Sequence, residues 1–222
     1  MGDWIPLDTA AGPVSAWLAR PGKPPRGAAI VLQEIFGVNP HIRSVADGFA
    51  HEGYLALAPA LFDPVETRVE LDYDDAGTER GVALRNAVGF ERAVQVVEAA
   101  AVFLQRAGLR VGVVGYCWGG SVAFLANTRL GLPAVSYYGA RTTPFLGEPA
   151  RAPMMFHFGS EDASIPPGAI ALHRERQPAA QVFVYPGAGH AFNRDIDPAH
   201  SDAGNAALAR TRTLAFLAEH AS

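Results

Sequence analysis

Cysteine occurs once in this chain, as Cys117, and its neighbours are those of a reactive group. It follows the β-branched run Val111-Gly112-Val113-Val114-Gly115-Tyr116 and precedes Trp118-Gly119-Gly120, after which a helix is predicted over Ser121–Thr128. A strand that turns sharply between glycines and runs straight into a helix has the shape of the nucleophile elbow G-x-S-x-G, here with sulfur in place of oxygen. Such a turn strains the nucleophile's backbone and needs small residues at Gly115 and Gly119 for close approach. The helix start aims free N–H groups and a positive dipole end at the sulfur, which favours negative charge there. The alternative is a buried structural cysteine, and it leaves the Gly-Gly helix start without a reason.

In the elbow architecture an acid and a histidine follow the nucleophile, each on a loop after a later strand. The apolar run Pro153–Gly159 is followed by Ser160-Glu161-Asp162, which offers Asp162 as the acid, with Glu161 as its rival. The run Gln181–Pro186 leads into Gly187-Ala188-Gly189-His190, which offers His190 as the base. An imidazole can take the thiol proton near neutral pH and return it to a leaving group, and a carboxylate fixes its tautomer. His157 lies inside an apolar strand and is expected to be a buried strand residue. Asp162 could instead cap the turn into Pro166.

Acyl transfer also requires donors for a developing oxyanion. The N–H of Trp118, directly after the nucleophile, is one. The loop Gln33-Glu34-Ile35-Phe36-Gly37 after the strand Ala28–Leu32 supplies Ile35 N–H as the other. Glu34 in that loop is chemically unexpected, because its charge opposes a thiolate and competes for the thiol proton. From position alone, a functional Glu34 stands level with one that is a solvated loop residue or is salt-bridged to Arg43.

Five blocks together resemble the dienelactone hydrolase (carboxymethylenebutenolidase) family. They are Gln33-Glu34-Ile35-Phe36-Gly37-Val38-Asn39, Gly115–Gly120, Tyr137-Tyr138-Gly139, Gly159-Ser160-Glu161-Asp162 and Gly189-His190-Ala191-Phe192. They follow the family's order across essentially the whole chain. The resemblance implies an α/β-hydrolase in the cytoplasm that opens a small anionic lactone through a cysteinyl ester, within aerobic breakdown of aromatic compounds. It implies that Glu34 holds the thiol at rest until a substrate carboxylate displaces it. It also implies a cation for that carboxylate, with Arg194 in the matching position and Arg80, or else Arg85, as a second. Arg194 could otherwise be a loop residue paired with Asp195 or Asp197. Phe36 and Tyr138 complete the expected substrate contacts. Ala191 stands where familiar members carry a small hydroxyl, and Trp118 where they carry an aliphatic residue, so the substrate itself is open. A broad esterase or thioesterase, and a non-catalytic small-anion binder on the same fold, are the competing functions.

The positioning elements are legible in outline. Short apolar runs at Val14–Leu18, Ala28–Leu32, Tyr54–Ala58, Val111–Gly115, Val135–Tyr138, Met154–Phe158 and Val182–Tyr185 are predicted strands alternating with helical segments. That alternation gives an α/β class with a mostly parallel central sheet and helices on both faces. Helices are expected over Val88–Gln105 and Ala203–Glu219, with Pro59–Asp75 as an irregular acidic loop near the pocket mouth. With 222 residues, 49% of them hydrophobic, the chain is expected to form one domain over 1–222. A formal charge of −4 argues against nucleic acid and anionic membranes as partners. One cysteine excludes an internal disulfide and suits a reducing compartment. Met1-Gly2-Asp3-Trp4 shows no leader pattern, and no apolar run reaches membrane length. Scattered histidines give no metal cluster, so no cofactor and no metal are expected. The expected partner is a lactone or ester bearing a carboxylate, bound by a monomer or weak homodimer.

Overall fold

The computed structural model describes residues 2–10 and 12–222; Met1, which opened the reading of the N-terminal residues, and Ala11 lie outside the described residues. An antiparallel hairpin of β1 (Asp3–Thr9) and β2 (Gly12–Ala19) leads into β3 (Gly27–Leu32), β4 (Tyr54–Pro59), β5 (Val111–Tyr116), β6 (Ala134–Tyr137), β7 (Met154–Gly159) and β8 (Gln181–Tyr185). These form one eight-stranded sheet in the order β1-β2-β4-β3-β5-β6-β7-β8. The β2–β4 pair is antiparallel and every pair from β4 to β8 is parallel. The α/β class with a mostly parallel sheet therefore holds.

Burial explains the strand composition. Strands β3, β5 and β7 are buried along their full length, which is why they read as near-continuous apolar runs rather than alternating ones. β8, at the edge, is only partly buried. All seven predicted strands are present. The strand absent from the sequence reading is β1, whose Asp3, Pro6 and Asp8 break any apolar alternation. An edge strand tolerates a proline there, and the Trp4–Trp17 edge contact at 5.7 Å secures it.

Helices α1 (Pro40–His51), α2 (Asp75–Arg106), α3 (Trp118–Leu125), α4 (Pro167–Arg176) and α5 (Ala203–His220) flank the sheet. α2 packs against α3, whereas α5 is tied to α1 by Arg210, which donates to Gly48 O and Glu52. α1 starts where Asn39 accepts from Ile42 N–H with Pro40 at the first turn, a capping arrangement whose signal the apolar spacing did not carry. α2 begins thirteen residues before the predicted Val88, capped by Asp74, and it kinks at Gly89 (φ 71°, ψ 173°). The glycines at 77, 81 and 89 dilute the helical pattern of its first half. α3 starts at Trp118 rather than Ser121 and passes into a π-turn at Ala126–Leu130.

Buried apolar residues form one continuous cluster spanning both sides of the sheet. Inside it, Thr213 of α5 hydrogen-bonds Tyr137 OH (2.7 Å) and His157 Nε2 (3.1 Å), while Tyr185 OH meets His157 Nδ1 at 2.7 Å. His157 is thus a satisfied core residue. No helix among the described residues is long and apolar enough to cross a membrane. Among the described residues, no group of three or more His, Cys, Asp or Glu side chains could hold a metal ion.

Candidate active site

The sheet register sets the site. Leu32 pairs with Gly115, Tyr116 with Tyr137, and Gly159 with Tyr185. The loops that carry Glu34, Cys117, Asp162 and His190 therefore leave from one edge, at the carboxyl ends of parallel strands, where open α/β sheets form their binding crevices.

Cys117 is the turn between β5 and α3, with φ 52° and ψ −115°. Close packing enforces that turn. A Cβ on Gly115 would stand 1.9 Å from Gly119 O, and one on Gly119 would stand 2.4 Å from Gln33 O. Strain gathers at this edge: of the four non-glycine residues described at positive φ, Cys117, Tyr138 and Ala191 belong to the site and only Arg68 does not.

Three side chains distant in sequence meet here. His190 Nε2 lies 3.2 Å from Cys117 Sγ, and His190 Nδ1 lies 2.7 Å from Asp162 Oδ2. Asp162 is buried, and its second oxygen accepts from Ser164 N–H at 2.8 Å. Its rival Glu161 is exposed. Burial by itself would lower the pKa of His190. The negative charge of the sulfur and the hydrogen bonds to Asp162 and Cys117 outweigh it and raise the imidazole to about 10. The geometry suits proton exchange between sulfur and nitrogen with the opposite nitrogen fixed by a carboxylate.

Trp118, the first residue of α3, presents an N–H that has no intrahelical acceptor. The loop bearing Ile35 is stitched to the elbow by Gly119 N–H donating to Gln33 O (3.1 Å), and to the segment after β4 by Leu61 N–H donating to Gln33 Oε1 (3.0 Å). The two predicted oxyanion donors thus sit on segments locked to each other.

Glu34 is fully buried, and it is paired with Arg194 rather than with solvent or Arg43. Arg194 Nε and Nη2 each donate to one Glu34 oxygen at 3.1 Å, and its Nη1 donates to Asp197 at 2.9 Å. Its guanidinium lies over the Tyr73 ring (4.1 Å) and near Phe36 (5.1 Å). Arg43 is taken by Glu70 and Val38 O. Two expectations change as a result. Glu34 does not hold the thiol in this arrangement, because a buried carboxylate is drawn to the adjacent guanidinium fork. Arg194 is not an open fork awaiting a substrate, since two carboxylates already fill it.

Two more placements differ from expectation. Arg80 is an exposed residue paired with Glu66 and lines neither cavity at the thiol. Arg85, one helical turn further on, lines the larger one. Tyr138 is wholly buried, with its ring edge on His190 (centroids 5.1 Å apart) and its hydroxyl unpartnered, so it backs the imidazole rather than lining a cavity.

Cys117 and His190 open onto two cavities. One, of about 600 Å³, is walled by Arg85, Phe90, Trp118, Arg141 and Phe145. The other, of about 310 Å³, is walled by Ile35, Phe36, Tyr73, Arg194 and the acids Asp74, Asp75 and Asp197. Arg141 and the aromatic pair Phe90 and Phe145 were missed in the sequence. The available signal was position: Arg141 follows β6 on the same sheet edge.

A strand-turn-helix nucleophile at the carboxyl edge of such a sheet, with histidine and acid on later loops, defines an α/β-hydrolase. The model of the dienelactone hydrolase family matches residues 14–221, and the chain belongs to that family. It is 34% identical over 213 residues to a carboxymethylenebutenolidase of Pseudomonas putida, covering 91% of this chain and 90% of that one. The carboxymethylenebutenolidase of Pseudomonas knackmussii matches to the same extent. A solved candidate dienelactone hydrolase of Klebsiella pneumoniae superposes with a TM-score of 0.86 at 28% identity, over 99% of this chain and 98% of that one. A dienelactone hydrolase-like promiscuous phosphotriesterase from metagenomic libraries shares the fold at 22% identity and a TM-score of 0.76, over 100% of this chain and 99% of that one. The protein is a hydrolase acting on esters or lactones.

Proposed function

We propose that the protein opens a small carboxylate-bearing lactone, or cleaves a related ester, through a thioester on Cys117. The single observation that carries this reading is the continuous contact from Cys117 Sγ through His190 to Asp162, at 3.2 and 2.7 Å. The proton shared by the pair rests on His190 Nε2, as the raised pKa of the imidazole requires; sulfur bonds to the substrate carbonyl carbon, and the carbonyl oxygen takes the negative charge beside the N–H groups of Trp118 and Ile35. The carbon–oxygen bond to the alcohol then breaks, and His190 returns the proton to that oxygen. In a lactone the alcohol stays tethered to the acyl chain. Water next attacks the thioester and gives its proton to His190. Sulfur leaves as the thiolate beside the imidazolium so formed, and the free acid departs. Asp162 keeps Nδ1 protonated throughout and supports the imidazolium.

Arg194 assists by neutralising Glu34. An unpaired buried carboxylate at this edge would oppose the charge that the thiol must develop. The two cavities of unequal size that both open at Cys117 and His190 suit a substrate with two unequal arms.

Hydrolysis of an activated aryl ester and of an unsaturated lactone tests the reading. Cys117→Ala is expected to abolish turnover of both, and Asp162→Asn to lower kcat by about a hundredfold to ten-thousandfold, as loss of the correct tautomer does in related triads. Intact-mass analysis of His190→Ala with the ester is expected to show one acyl group on Cys117. Turnover that survives in Cys117→Ala would refute the cysteine mechanism.

A further inference from the structure

The half of α2 beyond its kink leaves apolar surface in water. Val102 is 40% exposed and Phe103 37%, neighbours among the few large apolar side chains left uncovered in the described residues. A single exposed apolar residue is ordinary on a protein surface, but these two stand on a ridge between two grooves. One groove, of about 440 Å³, runs between α2 and β1 and is walled by Leu7, Asp8, Ala99 and Phe103. The other, of about 260 Å³, lies between α2 and the π-turn and is walled by Ala101, Gln105, Leu130, Leu132 and Arg151. Glu98 and Val102 belong to both. None of these residues lines a cavity at the thiol.

Charge on this ridge follows a two-fold pattern. Glu98 and Arg106 stand four residues before and four after Val102. Both are exposed, and neither side chain has an ion-pair or hydrogen-bond partner among the described residues. Four residues of α-helix advance about 6 Å along the axis and turn about 40° beyond a full revolution. Seen from Val102, the acid is therefore displaced along the helix and to one side, and the base by equal amounts in the opposite senses. A half-turn about an axis through Val102 sets Arg106 of a second copy against Glu98, and its Glu98 against Arg106. The same half-turn brings the groove beside β1 over the groove beside the π-turn. Phe103 of each copy then lies over the groove that the small Ala101 floors, and the exposed Asp8 comes to the side of the exposed Arg151.

We propose that this half of α2 is a self-association surface, on which a second copy of the chain docks antiparallel across Val102. Such an isologous contact makes each charge pairing twice and covers Val102 and Phe103 of both copies. A second copy fits better than an unrelated partner because the surface already carries the complement of its own charges. One helix and two shallow grooves make a small interface, so the dissociation constant is expected to be on the order of 10 μM. The surface does not depend on the reading of Cys117, since it lies away from both thiol cavities.

Sedimentation equilibrium of the full chain from about 1 to about 200 μM, a range that brackets micromolar dissociation, tests the surface. The average mass is expected to climb from 23.5 kDa toward twice that value. Glu98→Arg and Arg106→Glu each set like charges opposite one another and are expected to weaken the dimer about tenfold or more. An equimolar mixture of the two variants restores opposite charges at both positions, and so does Glu98→Arg with Arg106→Glu in one chain. Both are expected to regain the native dimer. The mixture also controls for folding, because a variant that failed to fold would not be rescued by the other. A monomer at every concentration overturns the surface. A dimer that survives both single changes overturns it too, as does one that neither the mixture nor the double change recovers.

Discussion

Glu34 and Arg194 show how one residue pair shapes this site. Both are almost completely buried, and each is the other's charge partner. Desolvation makes such a pair a poor source of net stability, but removing one member leaves a bare charge in the interior. Arg194→Ala is therefore expected to cost about 3–5 kcal/mol in urea or guanidinium unfolding. A double replacement by Leu at Glu34 and Met at Arg194 should recover most of that loss. A single substitution that costs less than about 1 kcal/mol would mean that Glu34 finds another partner or a proton. At the same scale, Arg80 and Arg85 show the limit of reading charges in order. Both lie in the first half of α2, yet one pairs with Glu66 on the surface and the other reaches the thiol cavity. Which arginine turns inward depends on helix phase, and the phase was obscured by the surrounding glycines.

Among the elements, α2 carries the most consequence for specificity. Its kink at Gly89 uses a backbone conformation that residues with a Cβ almost never adopt, and Phe90 follows directly into the cavity wall. A Cβ on Gly89 would meet no atom within 4 Å, so any penalty for substitution there is conformational rather than steric. Gly89→Ala is expected to lose about 1–3 kcal/mol in thermal or chemical unfolding and to raise KM as Phe90 and Arg85 shift. An alanine variant of native stability and unchanged KM would show that the kink is imposed by packing instead. The elbow between β5 and α3 was far more legible. Gly115 and Gly119 flank Cys117 because backbone atoms approach where their side chains would be, a requirement strong enough to mark the sequence.

Across the whole molecule, the buried His157 and the half-buried His190 set opposite pH limits. Burial, together with the charge of Arg212, lowers His157 from 6.5 to about 3. In the window between these values the unfolded chain binds the extra proton, so stability is present above 6.5 and is lost as the pH falls. His190, raised to about 10, has the reverse sign: its contribution is present below 6.5 and is lost as the pH climbs. Stability is expected to peak near neutrality. Denaturant unfolding between about pH 7 and 4 should show a loss on the order of 3 kcal/mol, much of which disappears in His157→Gln. An acid limb that is the same in the variant would assign the loss to other groups.

Linear pattern was enough for the central strands, the meeting of Cys117, Asp162 and His190 at one sheet edge, and the family, because each depends on local demands. Fully buried strands must be apolar, a sharp elbow must have glycines, and loop residues that serve the site must follow strand ends. β1 escaped because an edge strand makes few such demands. Only the tertiary arrangement decided that Glu34 faces Arg194 rather than the thiol, that Tyr138 backs the imidazole, and that Arg85 and Arg141 line the larger cavity. Charge pairing and cavity walls are long-range matters, settled by which loops the folded sheet edge brings together, and sequence spacing does not encode that meeting.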